Sequence, residues 1–384
     1  MSRRLLRGLV AVTTFCVVLT TAAAPPSMAQ DAAPSKALES LLRGSGTVAS
    51  EAGLSPEVAR TVDGTDAEDY ERALSAYWTP ERMRAARPVE EVRARAPREA
   101  APAPHKLPSG GRVPDELRGE PVVIPPAKPT VASAPRGPVT GPAAGGAGTT
   151  AIGPFKPRYA IGHPVARTIG KVFFNHMGED LVCSAGIVNS ASRSLVWTAG
   201  HCVADEGHFA QNWIFVPNYN MDHSWPQSPA PYGYWYARWL LAPGDWVDHG
   251  ISYNDIGAAV MWPSSSGTRI QDYLGAQGIS FNLPYFPFSY AYGYPADPPY
   301  DGEYLYLAIA QAHDAGGSVI YMENSMTGGS SGGYWLTNFD GEYGVVNGHN
   351  SFGFDHLPQY TYSPYYGLAT SNFYNLAQNA NPMA

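Results

Sequence analysis

From Arg158 onward the chain reads as an all-β domain, a sandwich or barrel, and three observations predict it. Tyr, Trp, Gly, Ser and Asn become frequent there, while Ala-rich helical runs disappear. Short β-type runs follow one another, among them Lys171-Phe174, Leu181-Val188, Ser194-Thr198, Trp213-Val216, Ile256-Met261, Ser289-Tyr294 and Tyr343-Asn347. Turn signals such as Asp301-Gly302 and Asp340-Gly341 separate them. Many short strands broken by Gly and Pro turns belong to sandwiches and barrels rather than to sheets crossed by helices. Ser371 to Gln378 reads as one closing helix.

What precedes this domain has a different composition. Arg3, Arg4 and Arg7 form a basic head, Leu9 to Ala24 is mostly apolar, and Ser27-Met28-Ala29 is a small-x-small cleavage signal. That pattern is expected of a secretory signal peptide over residues 1–29, cut after Ala29, in an extracellular protein. The apolar run is short for a bilayer, which needs about 20 apolar residues, and no later segment is longer. Residues 30–100 read as a helical pro-segment: Leu38, Leu41 and Leu42 sit at helical spacing, and Ser55-Pro56-Glu57 and Thr79-Pro80-Glu81 each place a hydroxyl before a first-turn proline and an acid. Residues 101–157 turn rich in Pro, Gly and Ala, the composition of a flexible or extended linker, expected to leave with the pro-region. The β-rich domain proper is then 158–384.

Charge and cysteine content narrow the function. The formal net charge is −8. Beyond residue 157 the cationic side chains are Arg158, Arg167, Lys171, Arg193, Arg238 and Arg269, far outnumbered by acids. Clustered Lys and Arg, which a nucleic-acid partner requires, are missing from that half. Cys16 leaves with the signal, and Cys183 and Cys202 remain as an even pair in an exported chain, which suits a disulfide. A metal site on Cys183, His201 and Cys202 would need further ligands, and no spaced set supplies them.

Three short motifs carry chemistry. In Thr198-Ala199-Gly200-His201-Cys202 a histidine follows an apolar strand and is held beside a cysteine, as a general base must be held. In Thr327-Gly328-Gly329-Ser330-Ser331-Gly332-Gly333 glycines flank a serine, so backbone can turn sharply and N–H groups can face an oxyanion. In Asn254-Asp255-Ile256-Gly257-Ala258 an acid enters an apolar strand with no cation beside it in sequence, so its carboxylate needs a partner from elsewhere. The glycine-flanked serine also fits a nucleophile elbow, with Asp340 or Asp355 and His356 to complete it, but an elbow belongs on an α/β sheet and helical periodicity is nearly absent here.

Taken together, these three motifs resemble the chymotrypsin-like serine peptidases, with a bias toward the bacterial secreted, glutamyl-endopeptidase-like branch. Ile169-Gly170-Lys171-Val172-Phe173-Phe174, Cys183-Ser184-Ala185, Ser192-Arg193-Ser194-Leu195-Val196 and the pro-region run Trp78-Thr79-Pro80-Glu81-Arg82-Met83 carry the likeness further. The resemblance implies two six-stranded antiparallel β-barrels with the active site between them and a serine endopeptidase needing no cofactor or metal. It implies Ser331 as nucleophile, His201 as general base and Asp255 as its orienting acid, with the N–H groups of Gly329 and Ser331 as oxyanion hole. A Cys183–Cys202 disulfide would staple the strand bearing His201. The expected partners are a protein or peptide substrate and the chain's own pro-segment, with no nucleic acid, no membrane and a monomeric state. The alternative is a catalytically silent member that binds peptides or surfaces.

The likeness has departures. Ser330 stands where activated animal members carry an aspartate that pairs with a new N-terminal amine, so that ion pair is impossible here. Removal of the pro-segment would act instead by unblocking the cleft or by having assisted folding. Tyr334 stands where a proline is usual, and no cysteine lies near Asn324, so the second barrel is expected to be held by packing. For specificity, Ser325 falls at the pocket-floor position, which disfavours cleavage after Lys or Arg. Val346-Asn347-Gly348-His349 is expected to pair with substrate backbone, with His349 available for an acidic side chain.

Overall fold

The computed structural model describes residues 36–62, 67–91, 119–131, 152–157, 159, 162–220, 230–284 and 287–383. The expected signal peptide and much of the Pro/Gly-rich stretch lie outside the described residues. Among the described residues no helix is long and apolar enough to cross a membrane.

The expected all-β architecture is present. Strands Ile169–His176, Glu179–Ile187, Leu195–Thr198, Gly257–Met261, Trp235–Pro243 and Gln211–Pro217 pair antiparallel in that order, and the last returns to the first. The ring closes as a six-stranded barrel. Its lumen is filled by Val172, Phe174, Cys183, Val196, Trp213, Phe215, Leu240 and Met261. Alternation along each strand sends every second side chain inward.

A second six-strand set is made of Tyr360–Pro364, Val319–Glu323, Tyr306–Gly316, Phe288–Gly293, Tyr334–Thr337 and Val345–His349. Continuous ladders join neighbours, but the ends meet through an isolated bridge between Phe352 and Tyr362, beside which the His349 N–H donates to the Ser363 hydroxyl at 2.9 Å. Gly278–Phe281 adds alongside Val345–His349 in parallel. Trp197, Trp239, Leu241 and Ile256 of the first barrel pack with Ile279, Tyr292, Tyr334 and Val346 of the second, so one shared core lies between them. The closing helix runs Leu368–Ala377, beginning before the expected Ser371. It lays Phe373 and Tyr374 against Trp197.

The segment expected to be helical contains helices Lys36–Leu42, Pro56–Ala59, Ala67–Tyr77 and Pro80–Ala85. It also contains a strand that periodicity did not suggest: Thr47–Glu51 pairs with Trp235–Pro243. The reason is tertiary, since Trp235–Pro243 outlasts its partner Gln211–Pro217 and offers unpaired backbone groups there. Thr79 caps its helix as expected, its Oγ1 accepting from the Arg82 N–H at 3.3 Å. Ser55 does not cap; its N–H and Oγ are both bonded to the Asn212 side chain instead. The Pro/Gly-rich stretch likewise yields two strands, Val122–Ile124 and Ile152–Phe155, which add to the second sheet.

The helical part docks on the outside of the first barrel. Val58, Leu74, Trp78 and Met83 are buried with Phe173, Val182, Ile214 and Val216 in one apolar cluster. The Trp78 indole N–H donates to the Asn212 carbonyl at 2.8 Å. Arg82 bridges Glu57 at 3.0 Å and Asp180 at 2.5 Å. The Trp78-to-Met83 run therefore holds the segment to the barrel by apolar burial, the Trp78 hydrogen bond and the Arg82–Asp180 ion pair.

Candidate active site

His201 lies in a single 3-10 turn, Gly200–Cys202, at the end of strand Leu195–Thr198. Cys202 is disulfide-bonded to Cys183 on the neighbouring strand Glu179–Ile187. Cys183, His201 and Cys202 place their ligand atoms close together. The sulfurs are bonded to each other and offer no thiolate, so the group does not suit a metal.

Asp255 ends a second 3-10 turn, Ser252–Asn254, just before strand Gly257–Met261. That strand pairs with Leu195–Thr198, which brings the two turns side by side. The Asp255 carboxylate accepts the His201 backbone N–H at 2.8 Å and faces His201 Nδ1 at 2.9 Å. It also accepts the Ser351 hydroxyl at 2.5 Å. Burial works against its charge, but the charge and hydrogen bond of His201 outweigh burial and hold its pKa below the ordinary carboxylate range. A carboxylate on Nδ1 fixes the tautomer with the proton there, so Nε2 is the nitrogen turned to the cleft.

Ser331 sits in the turn between strands Val319–Glu323 and Tyr334–Thr337. Gly329 and Gly332 take left-handed backbone, φ +87° and +81°. A Cβ on Gly332 would lie 2.0 Å from the Thr198 hydroxyl, so only glycine lets this turn close on the strand bearing His201. The Ser331 carbonyl accepts the Ser184 N–H at 2.7 Å and the Gly329 carbonyl accepts the Ser184 hydroxyl at 2.9 Å. From the other side, the Asn350 amide donates to the Ser330 and Tyr292 carbonyls at 3.1 Å each. Its carbonyl oxygen accepts from Asn324 at 3.0 Å and Trp335 at 2.8 Å.

His201, Asp255, Ser331 and the Gly329 N–H are thus gathered in one crevice between the two β-units. A residue that no motif pointed to sits among them. One oxygen of Glu90 accepts the Ser331 hydroxyl and lies 3.6 Å from His201 Nε2. Its other oxygen accepts the Gly329 N–H at 3.3 Å. Burial resists a charge on His201, but the carboxylates of Asp255 and Glu90 overcome it and raise its pKa to about 9.

The specificity residues are arranged differently from expectation. His349 is fully buried behind Asp255. Its Nε2–H donates to the Asp255 carbonyl at 2.9 Å, and its Nδ1 accepts the Tyr366 hydroxyl at 2.8 Å, which in turn accepts the Trp197 indole N–H. Burial lowers its pKa to about 4, so it is neutral. With both ring nitrogens used, it is not available to an acidic side chain. Val346, Asn347 and Gly348 are interior members of their strand, Val346 pairing with Leu336 and Ile279. The Asn347 amide donates to the Ser280 carbonyl at 3.1 Å. The Val346–His349 expectation falls too early in sequence: the chain emerges beside the triad at Ser351, whose hydroxyl reaches Asp255. Ser325 is exposed. Ser351 and Asn350 were the missed supports; a polar run at the end of the apolar strand Val345–His349 was their only signal. Glu90, in an ordinary Val-Glu-Glu run, gave none.

A hollow of about 690 Å³ lies elsewhere, between Ala67–Glu71 and the aromatic run Tyr232–Tyr236. Tyr232, Trp235 and Tyr236 are largely buried there, as packing of that run requires.

Comparison with solved structures gives close likenesses. A thermostable serine protease, AL20, from an extremophilic microorganism is 35% identical over 56% of this chain and 100% of its own, with a TM-score of 0.52. The protease Anisep from Arthrobacter nicotinovorans is 34% identical over 56% of this chain and 98% of its own, also with a TM-score of 0.52. No protein-family model and no curated protein sequence matches the chain. With the fold, the crevice between two β-units and relatives matched along their whole length, the chain belongs to the chymotrypsin-like serine proteases.

Proposed function

We propose that the protein is a secreted serine endopeptidase, made as a preproenzyme, that hydrolyses peptide bonds through an acyl-enzyme. The observation that carries this reading is the convergence of the Ser331 hydroxyl, His201 Nε2 and the Gly329 N–H on one carboxylate, with His201 braced from behind by Asp255. A scissile carbonyl in the place of that carboxylate meets a nucleophile, a base and an oxyanion donor at once.

In this reading neutral His201 takes the Ser331 proton on Nε2 as Oγ bonds to the carbonyl carbon. The imidazolium is stabilised by Asp255, which stays ionised. The oxyanion is held by the N–H groups of Gly329 and Ser331, each such donor being worth about 3 kcal/mol in a transition state. His201 then gives its proton to the departing amine as the C–N bond breaks, leaving the acyl-enzyme. Water repeats the cycle, passing a proton to His201 and attacking the ester, and Ser331 recovers its proton. Activity of the processed enzyme should rise through about pH 6 to 7 as His201 becomes neutral.

Residues 1–29 would direct export and residues 30–157 would be the pro-region. The disulfide and the burial of the Trp78-to-Met83 run against the barrel support that arrangement. The test is a fluorophosphonate probe applied to the processed protein. Ser331 should be labelled and Ser331→Ala should not; equal labelling of the two would remove the proposed chemistry and favour a silent binding protein.

A further inference from the structure

The geometry points to an interaction surface whose partner is the chain's own segment 36–91, anchored by the Glu90 carboxylate in the catalytic centre as a plug that cannot be cleaved. This inference rests on the catalytic roles proposed above and adds how the centre is kept idle.

The segment reaches the crevice by a definite route. Arg87 and Pro88 pair in parallel with Leu181 and Val182 on strand Glu179–Ile187. Arg87 holds Glu179 at 2.5 Å, and Arg82 holds Asp180 one residue further on. Val89 is buried among the residues around the disulfide, including Cys183, Cys202 and Leu181. Pro88 lies against Gly328, where an added Cβ would come within 2.8 Å of it. Pro88 and Val89 thus fix the backbone on both sides of the crevice, and Glu90 follows with its side chain inside.

What Glu90 presents is the wrong chemistry for turnover and the right chemistry for binding. Its carboxylate occupies the position proposed for a substrate carbonyl, with one oxygen on Gly329 and the other on Ser331. It is a side-chain carboxylate, so no peptide bond lies between the serine and the oxyanion donor and no amine can leave. The carboxylate also favours protonated His201, and an imidazolium cannot accept the Ser331 proton. One residue therefore fills the hole, occupies the hydroxyl and disables the base.

The latch should depend on pH. The groups facing Glu90 are His201, with Asp255 behind it, Ser331 and Asp297; Glu91 is next in sequence and is paired with Arg87 at 3.9 Å. His201 has a raised pKa in the latched state, so its contribution to docking is present at low pH and is lost as pH rises through about 9. Glu90 stays ionised throughout that window: burial opposes its charge, but the hydrogen bond and charge of His201 hold its pKa below the ordinary range.

The experiment measures the fluorophosphonate labelling rate of full-length protein. Glu90→Ala should label faster than wild type by about ten- to hundredfold, the equivalent of one charge-assisted hydrogen bond network lost. Glu90→Gln, which keeps the shape and loses the charge, should fall between them. The wild-type rate should climb on going from pH 7 to pH 9.5 more steeply than that of Glu90→Ala. Thermal unfolding of each variant checks that the fold is kept. The processed wild-type protein is the reference. If it labels while Glu90→Ala and wild-type full-length protein label at the same slow rate, the Glu90 latch is overturned and the catalytic proposal stands. If processed protein and Glu90→Ala both fail to label, the catalytic proposal itself fails.

Discussion

The two β-units that meet at the crevice hold their share of the active site by different means. The first is a closed ring, and its histidine is tied by a disulfide to the adjacent strand and by Asp255 through the next. The second closes through an isolated bridge at Phe352 and Tyr362 with a few hydrogen bonds beside it, and has no cysteine. Its serine is held by a buried amide, Asn350, that bonds to Ser330, Tyr292, Asn324 and Trp335 among others, and by glycines that let the turn press against Thr198. The base thus rests on a covalent constraint, whereas the nucleophile rests on hydrogen bonds and close packing. A covalent link constrains chiefly the unfolded chain; a hydrogen-bond network constrains position in the folded one.

The largest expected effect cuts across both units. Asp255→Asn removes the charge that supports the His201 imidazolium and disturbs its tautomer, and kcat should fall by about 10⁴-fold with folding retained. A variant retaining most of its kcat would show that His201 does not depend on Asp255.

Next come the two means of support, set against each other. Replacing Cys183 and Cys202 together by Ala opens a link between residues 19 apart in sequence, and should cost about 3 kcal/mol of stability by the loop-entropy relation. Those molecules still folded at low temperature should keep nearly full labelling of Ser331. Asn350→Ala leaves the Trp335 N–H without its acceptor and takes one of two donors, the other being the Gly333 N–H, from the Ser330 carbonyl, at about 2 kcal/mol. It should lower the labelling rate as well, because Ser330 adjoins the nucleophile. If both variants lose stability and labelling in the same proportion, the contrast between the units does not hold.

The smallest effect concerns His349. Its pKa is depressed to about 4 by burial, so the stability it contributes is present above the ordinary histidine value and is lost as pH falls from about 6.5 toward 4. His349→Gln should flatten the acid limb of a stability-versus-pH curve. It should leave unchanged the relative cleavage of peptides with Glu or another residue before the scissile bond. A selective loss of cleavage after Glu would return His349 to the substrate pocket.

Much of the β architecture was legible because alternation and turn residues are local properties. The runs at Lys171-Phe174, Ile256-Met261 and Tyr343-Asn347 all fall within or overlap observed strands. Strands Thr47–Glu51, Val122–Ile124 and Ile152–Phe155 were not legible, because each is a short piece whose extended form depends on a sheet edge contributed by residues far away. His349 was misread for a related reason. It was expected to be available to a substrate side chain, but its ring nitrogens are taken by the Asp255 carbonyl and by the Tyr366 hydroxyl, which Trp197 holds in turn.

By itself the sequence determined which residue types could do acyl-transfer chemistry, because a histidine at a strand end, an acid entering an apolar strand and a glycine-flanked serine each carry their constraint in their immediate neighbours. Only the tertiary structure decided what faces them. Glu90 at the nucleophile, Ser351 on Asp255 and Asn350 beneath Ser330 are contacts across up to 241 residues of chain, and little or nothing local distinguishes those side chains from any other acid, hydroxyl or amide. Their roles follow from which groups burial brings within hydrogen-bond reach, and that is fixed by the packing of the two β-units and the segment laid across them.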